Sequence, residues 1–162
     1  MPRATFSTSL GTCAIAWGDA GLTKFELPEA VTRPGDVVTP PAEIAAIIDR
    51  VRKHLAGEHQ DFSVLHYDFG RVAEFQQEVY RATLAVKAGR TASYGEIASA
   101  IGQPPAVSRA VGSALGANPW PLLIPCHRIV AADGKMTGFS GPGGIKTKLR
   151  LLALEGSELF AE

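Results

Sequence analysis

Apolar and polar positions follow two different rhythms along this chain. From Phe6 to Trp17 they alternate loosely. The alternation resumes at Leu22-Thr23-Lys24-Phe25-Glu26-Leu27, after the turn-forming run Gly18-Asp19-Ala20-Gly21. Period-two alternation puts every second side chain on one face, so this region predicts a hairpin with one buried face. Four prolines and a Pro-Gly-Asp turn mark residues 28–41 as a loop. Beyond Pro41 the spacing of Ile44, Ile47, Ile48, Val51 and Leu55 is that of a helical stripe. Gly57 closes this helix after the basic turn Arg52-Lys53-His54. Phe62 to Phe69 reads as a returning strand, which completes a small α/β unit over residues 1–70.

The second unit, residues 71–162, is mainly helical. Phe75, Val79, Ala82, Thr83 and Val86 mark a helix that stops at Gly89. Ser93 to Ile101 predicts a short helix ended by Gly102, and residues 105–117 a second one, with Pro105 suited to its first position. Two short helices joined by a glycine-containing turn form a helix-turn-helix. The second of these helices is small-sided, with Arg109 as its one long cation and Gly112 inside it, where glycine costs about 1 kcal/mol relative to alanine. Small residues there either let two helices pack or let something else approach closely. Lys146 to Glu155 predicts a final helix with Leu149, Leu152 and Ala153 as its buried stripe.

Charge adds a direction. The 16 Lys/Arg and 16 Asp/Glu cancel overall, but residues 1–70 hold six cations against nine anions and residues 71–162 hold ten against seven. A phosphate-bearing partner would therefore meet the second unit, and Arg109 projecting from a small helix face points the same way, toward DNA. Hydrophobic content of 46% describes an ordinary globular protein. No apolar run reaches membrane-spanning length, and the amino-terminal stretch lacks a signal-peptide layout. Two cysteines, Cys13 and Cys126, supply neither a metal-ligand cluster nor a disulfide framework. The expectation is a monomer in the reducing cytoplasm, with no metal, no cofactor and no membrane partner.

Chemistry concentrates at Ile124-Pro125-Cys126-His127-Arg128-Ile129-Val130. A thiolate is a strong nucleophile and imidazole is the usual base that generates one. On an extended strand Cys126 and His127 would face opposite ways, so proton transfer between them needs a bridging water or a local turn. Glu155 falls near the end of the last helix, where a carboxylate opposes the helix dipole. That placement points to a buried basic partner such as His127.

From Phe75 to Gly156 the chain resembles the O6-alkylguanine-DNA alkyltransferases, the methylated-DNA–protein-cysteine methyltransferases. The resemblance is carried by Ser93-Tyr94-Gly95-Glu96-Ile97-Ala98, Arg109-Ala110-Val111-Gly112, Asn118-Pro119, Ile124 to Val130, Gly138-Phe139-Ser140-Gly141 and Leu151-Leu152-Ala153-Leu154-Glu155. It implies a ribonuclease-H-like first unit and a minor-groove helix-turn-helix that flips the damaged base. The reaction it implies is direct-reversal repair, a single-turnover transfer of the alkyl group from O6-alkylguanine, and O4-alkylthymine, in double-stranded DNA to Cys126. His127 would be the base acting through water, Glu155 its orienter, and Asn118 a brace. Tyr94 would donate a proton to the leaving guanine and crowd a phosphate. Arg109 would fill the stack after base flipping, with Ala110 and Ser113 against DNA. Pro121, Ile129, Phe139 and Ser140 would line the pocket.

The chain departs from the family pattern at Val107-Ser108, where two alanines are usual. Tyr80 replaces a common tryptophan, Phe139 a common tyrosine and Ala88 a common proline, while Pro142 stiffens the loop. Three rival readings account for less of the chain. A non-catalytic DNA-binding module needs neither Cys126 nor Glu155, and the alkyltransferase-like lesion binders carry tryptophan at the cysteine position. A Cys-His hydrolase would need direct proton transfer and oxyanion donors from elsewhere. A purely structural buried thiol leaves the other motifs unexplained.

Overall fold

The computed structural model of the protein describes residues 2–31, 38–131 and 144–157. The fold is mixed α/β. Strands β1 (Arg3–Thr8), β2 (Gly11–Gly18) and β3 (Gly21–Glu26) form an antiparallel sheet in the order β1-β2-β3. The expected hairpin is therefore two successive hairpins, because a turn at Ser9-Leu10 divides the loosely alternating stretch. The alternation holds only in part: Ala4 and Phe6 alternate in β1, but Cys13, Ala14 and Ile15 of β2 are all buried, and a register shift at Ala16/Trp17 puts the buried Leu22 and Phe25 of β3 three positions apart. At the second turn Gly21 has φ +126°, and a Cβ there would lie 2.5 Å from the His66 carbonyl oxygen. Only glycine fits this close approach.

Helix α1 (Ala42–Leu55) covers the sheet with Ile44, Ile48, Val51, His54 and Leu55 buried. It is tied down by Arg52 Nε donating to the Ser7 carbonyl at 2.9 Å and Ser9 Oγ donating to the Leu55 carbonyl at 2.8 Å. Phe62 to Phe69 is not a strand. Asp61 caps a 3₁₀ turn over Phe62–Val64 by accepting from the Ser63 amide at 2.9 Å, and a second 3₁₀ turn spans Phe69–Arg71. Such local side-chain bonds compete with a sheet ladder. The segment keeps a single bridge, Leu22 to Tyr67.

The exposed edge of β3 is closed by the second half of the chain. The Phe25 amide donates to the Pro119 carbonyl at 2.9 Å, and Trp120 Nε1 donates to the Leu22 carbonyl at 2.9 Å. Trp120 is fully buried among Tyr67, Phe69 and Tyr80, each meeting it edge-on with centroids 5.5, 5.6 and 6.1 Å away. One apolar cluster thus runs from Ala4 to Leu151 across both halves.

Helices α2 (Glu74–Leu84), α3 (Tyr94–Ala100) and α4 (Ser108–Gly116) pack together through Val79, Ile97, Ala98, Val111, Ala114 and Leu115. Helix α2 ends five residues before Gly89, and α4 is preceded by a 3₁₀ turn over Pro105–Val107, so the predicted 105–117 helix is shorter at both ends. Helix α5 (Gly144–Leu154) completes the described fold. Its buried residues include Lys148, Leu151 and Leu152, while Leu149 and Ala153 are exposed. The expected stripe was rotated, because the helix turns two charged groups, Lys148 and the following Glu155, inward. No helix among the described residues is long and apolar enough to cross a membrane.

Candidate active site

Cys126 is not on a regular strand. Cys126–Arg128 form a 3₁₀ turn, closed by the Arg128 amide donating to the Pro125 carbonyl at 2.9 Å, and β5 (Ile129–Val130) follows. The turn takes the pair out of the strict alternation of a strand, although His127 Nδ1 meets no hydrogen-bonding group of the described residues. Upstream, Asn118 shapes the approach: its Oδ1 accepts from the Trp120 amide at 2.9 Å and its Nδ2 donates to the Ile124 carbonyl at 2.9 Å. Between them Leu122 is buried at φ +76°, alone among the described non-glycine residues in having a positive φ. A leucine there is strained, and the Asn118 clasp together with surrounding packing holds it.

A second tether comes from β4 (Ala92–Ser93), which pairs in parallel with β5, Ala92 opposite Ile129 and Ser93 opposite Val130. Ser93 also caps α3: its Oγ accepts from the Glu96 amide at 3.0 Å, and Glu96 Oε1 accepts from the Ser93 amide at 2.9 Å. This capping box fixes Tyr94 as the first helical residue, beside the cysteine segment. Lys148 lies beneath the Tyr94 ring, 6.0 Å from its centroid, and donates to the Ile129 carbonyl at 2.6 Å.

His127 is fully buried, and its Nε2 lies 2.9 Å from both oxygens of Glu155. A carboxylate accepts, so Nε2 carries the proton and Nδ1 holds the lone pair. No described residue hydrogen-bonds Nδ1. Glu155 also accepts from Arg128, whose Nε reaches Oε1 at 2.9 Å and Nη2 reaches Oε2 at 2.7 Å. Arg128 Nη1 donates to the Val86 carbonyl at 2.7 Å, and His54 Nε2 meets Glu155 Oε2 at 2.8 Å.

Electrostatics separate the roles. Burial pushes the Cys126 thiol up, against the Asn118 hydrogen bond and the Lys148 charge, so the resting group is a thiol. Burial likewise pushes the His127 imidazole down, with Glu155 opposing, which leaves a neutral ring able to accept a proton. Burial by itself would raise Glu155, but His127, Arg128 and His54 overcome it and hold the carboxyl well below the usual range. Lys148 is lowered to about 8 by burial, with Cys126 opposing. A buried thiol, a neutral imidazole next to it in the chain and an ionised carboxylate on that imidazole are the groups a nucleophile, base and orienter would need.

Of the other expected site residues, Arg109, Ala110 and Ser113 share the exposed face of α4. An alanine Cβ at Gly112 would meet only Tyr94, at an ordinary 3.8 Å, so the protein's own packing does not require glycine there. Pro121 is half-buried in the Asn118 loop, and Ile129 is buried beside Lys148. Phe139 and Ser140, with Pro142, lie outside the described residues.

A family model described as 6-O-methylguanine DNA methyltransferase, DNA binding domain, matches residues 74–157. The methylated-DNA–protein-cysteine methyltransferase of Methanothermobacter thermautotrophicus is 38% identical over 145 residues, covering 90% of this chain and 80% of that protein. The Mycobacterium tuberculosis protein of the same name is 39% identical over 160 residues, 98% of this chain and 94% of its own. This chain belongs to the methylated-DNA–protein-cysteine methyltransferase family. Its fold is also similar to that of Mycobacterium tuberculosis OGT crystallised in complex with DNA, with a TM-score of 0.82 at 37% identity over 96% of this chain and 93% of the other.

Among the described residues the second cysteine has no side-chain amide or ammonium of the Cys126 kind against its sulfur, only the Thr8 hydroxyl at 3.9 Å. Cys13 is fully buried in the sheet, and burial raises its thiol to about 11, with Thr8 opposing. Sequence reasoning assigned no site role to His54, Arg128 or Lys148. One signal for His54 was available: it lies three residues after Val51, inside the apolar stripe of α1, where a histidine is buried and needs a partner.

Proposed function

We propose that this protein carries out direct-reversal DNA repair, taking the alkyl group from O6-alkylguanine, and from O4-alkylthymine, in double-stranded DNA onto Cys126. The observation that carries this reading is the buried Cys126 thiol preceding a neutral His127 whose Nε2 is locked to Glu155. His127 Nδ1 takes the thiol proton through a bridging water as sulfur attacks the alkyl carbon. The S–C bond forms as the C–O bond breaks, and the guanine receives a proton from the Tyr94 hydroxyl. Asn118 holds the loop and donates toward the thiolate. The thioether has no good leaving group, so each molecule acts once and needs no cofactor or metal.

DNA is engaged by the second unit, residues 71–162, with α3 and α4 acting as a minor-groove helix-turn-helix. The first unit, residues 1–70, is a ribonuclease-H-like scaffold. Arg109 enters the base stack when the lesion is flipped out, with Ala110 and Ser113 against the groove. Pro121, Ile129, Phe139 and Ser140 line the pocket for the flipped base. The protein works as a cytoplasmic monomer.

The test is a duplex carrying O6-methylguanine with a labelled methyl group. Label is expected on Cys126 at one per protein molecule; label that stays on DNA, or turnover above one, overturns the reading. Cys13→Ala is expected to keep that stoichiometry, and a fall in labelled protein would assign Cys13 a part. Arg109→Ala is expected to slow repair of duplex DNA by roughly tenfold, the size of losing one well-placed arginine contact. Its reaction with free O6-benzylguanine should stay unchanged, and equal losses on both substrates would remove Arg109 from base flipping.

A further inference from the structure

His54 reaches the acceptor site from the opposite half of the chain. It sits in the last turn of α1, 101 positions before Glu155, and both residues are buried, at 1% and 2% exposure. Its Nδ1 accepts from the Gln60 amide at 2.9 Å. A backbone amide can only donate, so Nδ1 holds the lone pair and Nε2 carries the proton. The 2.8 Å contact to Glu155 Oε2 is therefore a hydrogen bond donated by a neutral imidazole. The Phe62 ring, 5.3 Å away, and the His59 ring, 6.0 Å away, pack the imidazole in place.

The Glu155 carboxylate is thus gripped from two sides. Arg128 holds both oxygens from the 3₁₀ turn that carries Cys126, and His54 holds Oε2 from α1. We propose that His54 is a positioning residue for the alkyl-transfer step, fixing Glu155 so that His127 keeps its orientation and stays neutral until it takes the thiol proton. This inference rests on the alkyl-acceptor reading of Cys126. The donor from His54 satisfies part of the carboxylate's charge. Without it, that charge falls more fully on His127, favours the imidazolium and blocks Nδ1 as a base.

Among the described residues, three titratable or charged groups besides His127 face the pair. Arg128 faces Glu155 from the 3₁₀ turn, and Lys148 of α5 faces the Ile129 carbonyl and Cys126. His59, from the loop after α1, meets the Leu154 carbonyl at 3.3 Å. Unlike Arg128, His54 can be removed from Glu155 without taking away a permanent cation, and unlike His127 it does not neighbour Cys126 in the chain.

The experiment measures single-turnover labelling of Cys126 between pH 5 and pH 9 in the full-length protein and two variants. His54→Phe fills the space without a donor. His54→Gln puts an amide N–H near the position of Nε2. The expected result for His54→Phe is a rate at neutral pH lower by on the order of tenfold, a fraction of what a general base contributes. Its acid limb should move to higher pH, and His54→Gln should restore most of both. An unchanged acid limb in His54→Phe, even with a lower melting temperature, overturns the positioning role and leaves His54 as a packing residue. Failure of His54→Gln to recover any of the rate also overturns it. Nitrogen-15 spectra of the unaltered protein give a check that needs no variant: Nε2 protonated and Nδ1 bare supports the proposal, and any other form at pH 7 overturns it. Absence of label on unaltered Cys126 would instead bring down the acceptor reading itself, which separates the two failures.

Discussion

Glu155→Ala is expected to lower folding stability by about 3–5 kcal/mol and to reduce alkyl transfer to background. The magnitude is that of removing one partner from a buried ion pair, which leaves the other charge uncompensated. Arg128 is 5% exposed, and two of its three guanidinium nitrogens donate to Glu155, so the variant strands a buried cation. His127 and His54 lose their acceptor at the same time. Thermal melting measures the first effect, and labelling of Cys126 in the folded fraction measures the second. A variant that melts within a degree or two of the unaltered protein would mean that Glu155 does not hold these elements together.

The same group sets an acid limit on stability. Its carboxyl is held below the value it has in the unfolded chain, so its contribution is complete above the unfolded value of about 4.3 and is lost as pH falls toward the folded one. His127 acts in the same direction, because burial depresses its folded value below the unfolded one of about 6.5. Stability should therefore begin to fall below about pH 6.5 and fall more steeply below about pH 4.3. Glu155→Gln should remove the steeper part, and denaturant melts at several pH values measure it. An equally steep loss in the variant would assign the acid limit to other carboxylates.

Cys126→Ser is expected to abolish alkyl transfer while lesion-containing duplex DNA still binds. The hydroxyl keeps the shape of the thiol, but it ionises far less readily and is a poor nucleophile toward an alkyl carbon. Cys126 is 7% exposed, and Arg109, Ala110 and Ser113 lie on the exposed face of α4, so the substitution leaves the proposed DNA-facing surface intact. Gel-shift titration beside the labelling assay separates the two properties. Transfer that survives in the serine variant would place the acceptor elsewhere, and lost DNA binding would mean that the thiol helps to hold the lesion.

The helices and first strands were legible because their signals are local. Gly57 after α1, Gly102 after α3 and the Gly18–Gly21 turn between β2 and β3 each read within a few residues. Errors arose where another contact outweighed the local pattern. Phe62 to Phe69 has the composition of a strand, yet the Asp61 cap and the seating of Trp120 against Leu22 leave it one bridge. In α5 the apolar count favoured Leu149 and Ala153, but the demand to bury Lys148 and Glu155 near Cys126 and His127 rotated the helix.

By itself the sequence determined the family and singled out Cys126 as the proposed nucleophile with His127 and Glu155 as its proposed partners, because these reside in short motifs whose chemistry depends on residue type and spacing. Only the tertiary structure decided what surrounds Glu155. His54 and Arg128 stand 101 and 27 positions away, and neither lies in a pattern that states its partner. Linear periodicity reports which face of an element is buried. Which buried polar groups meet depends on how elements far apart in the chain pack, and on the need of each charge removed from water to find a partner.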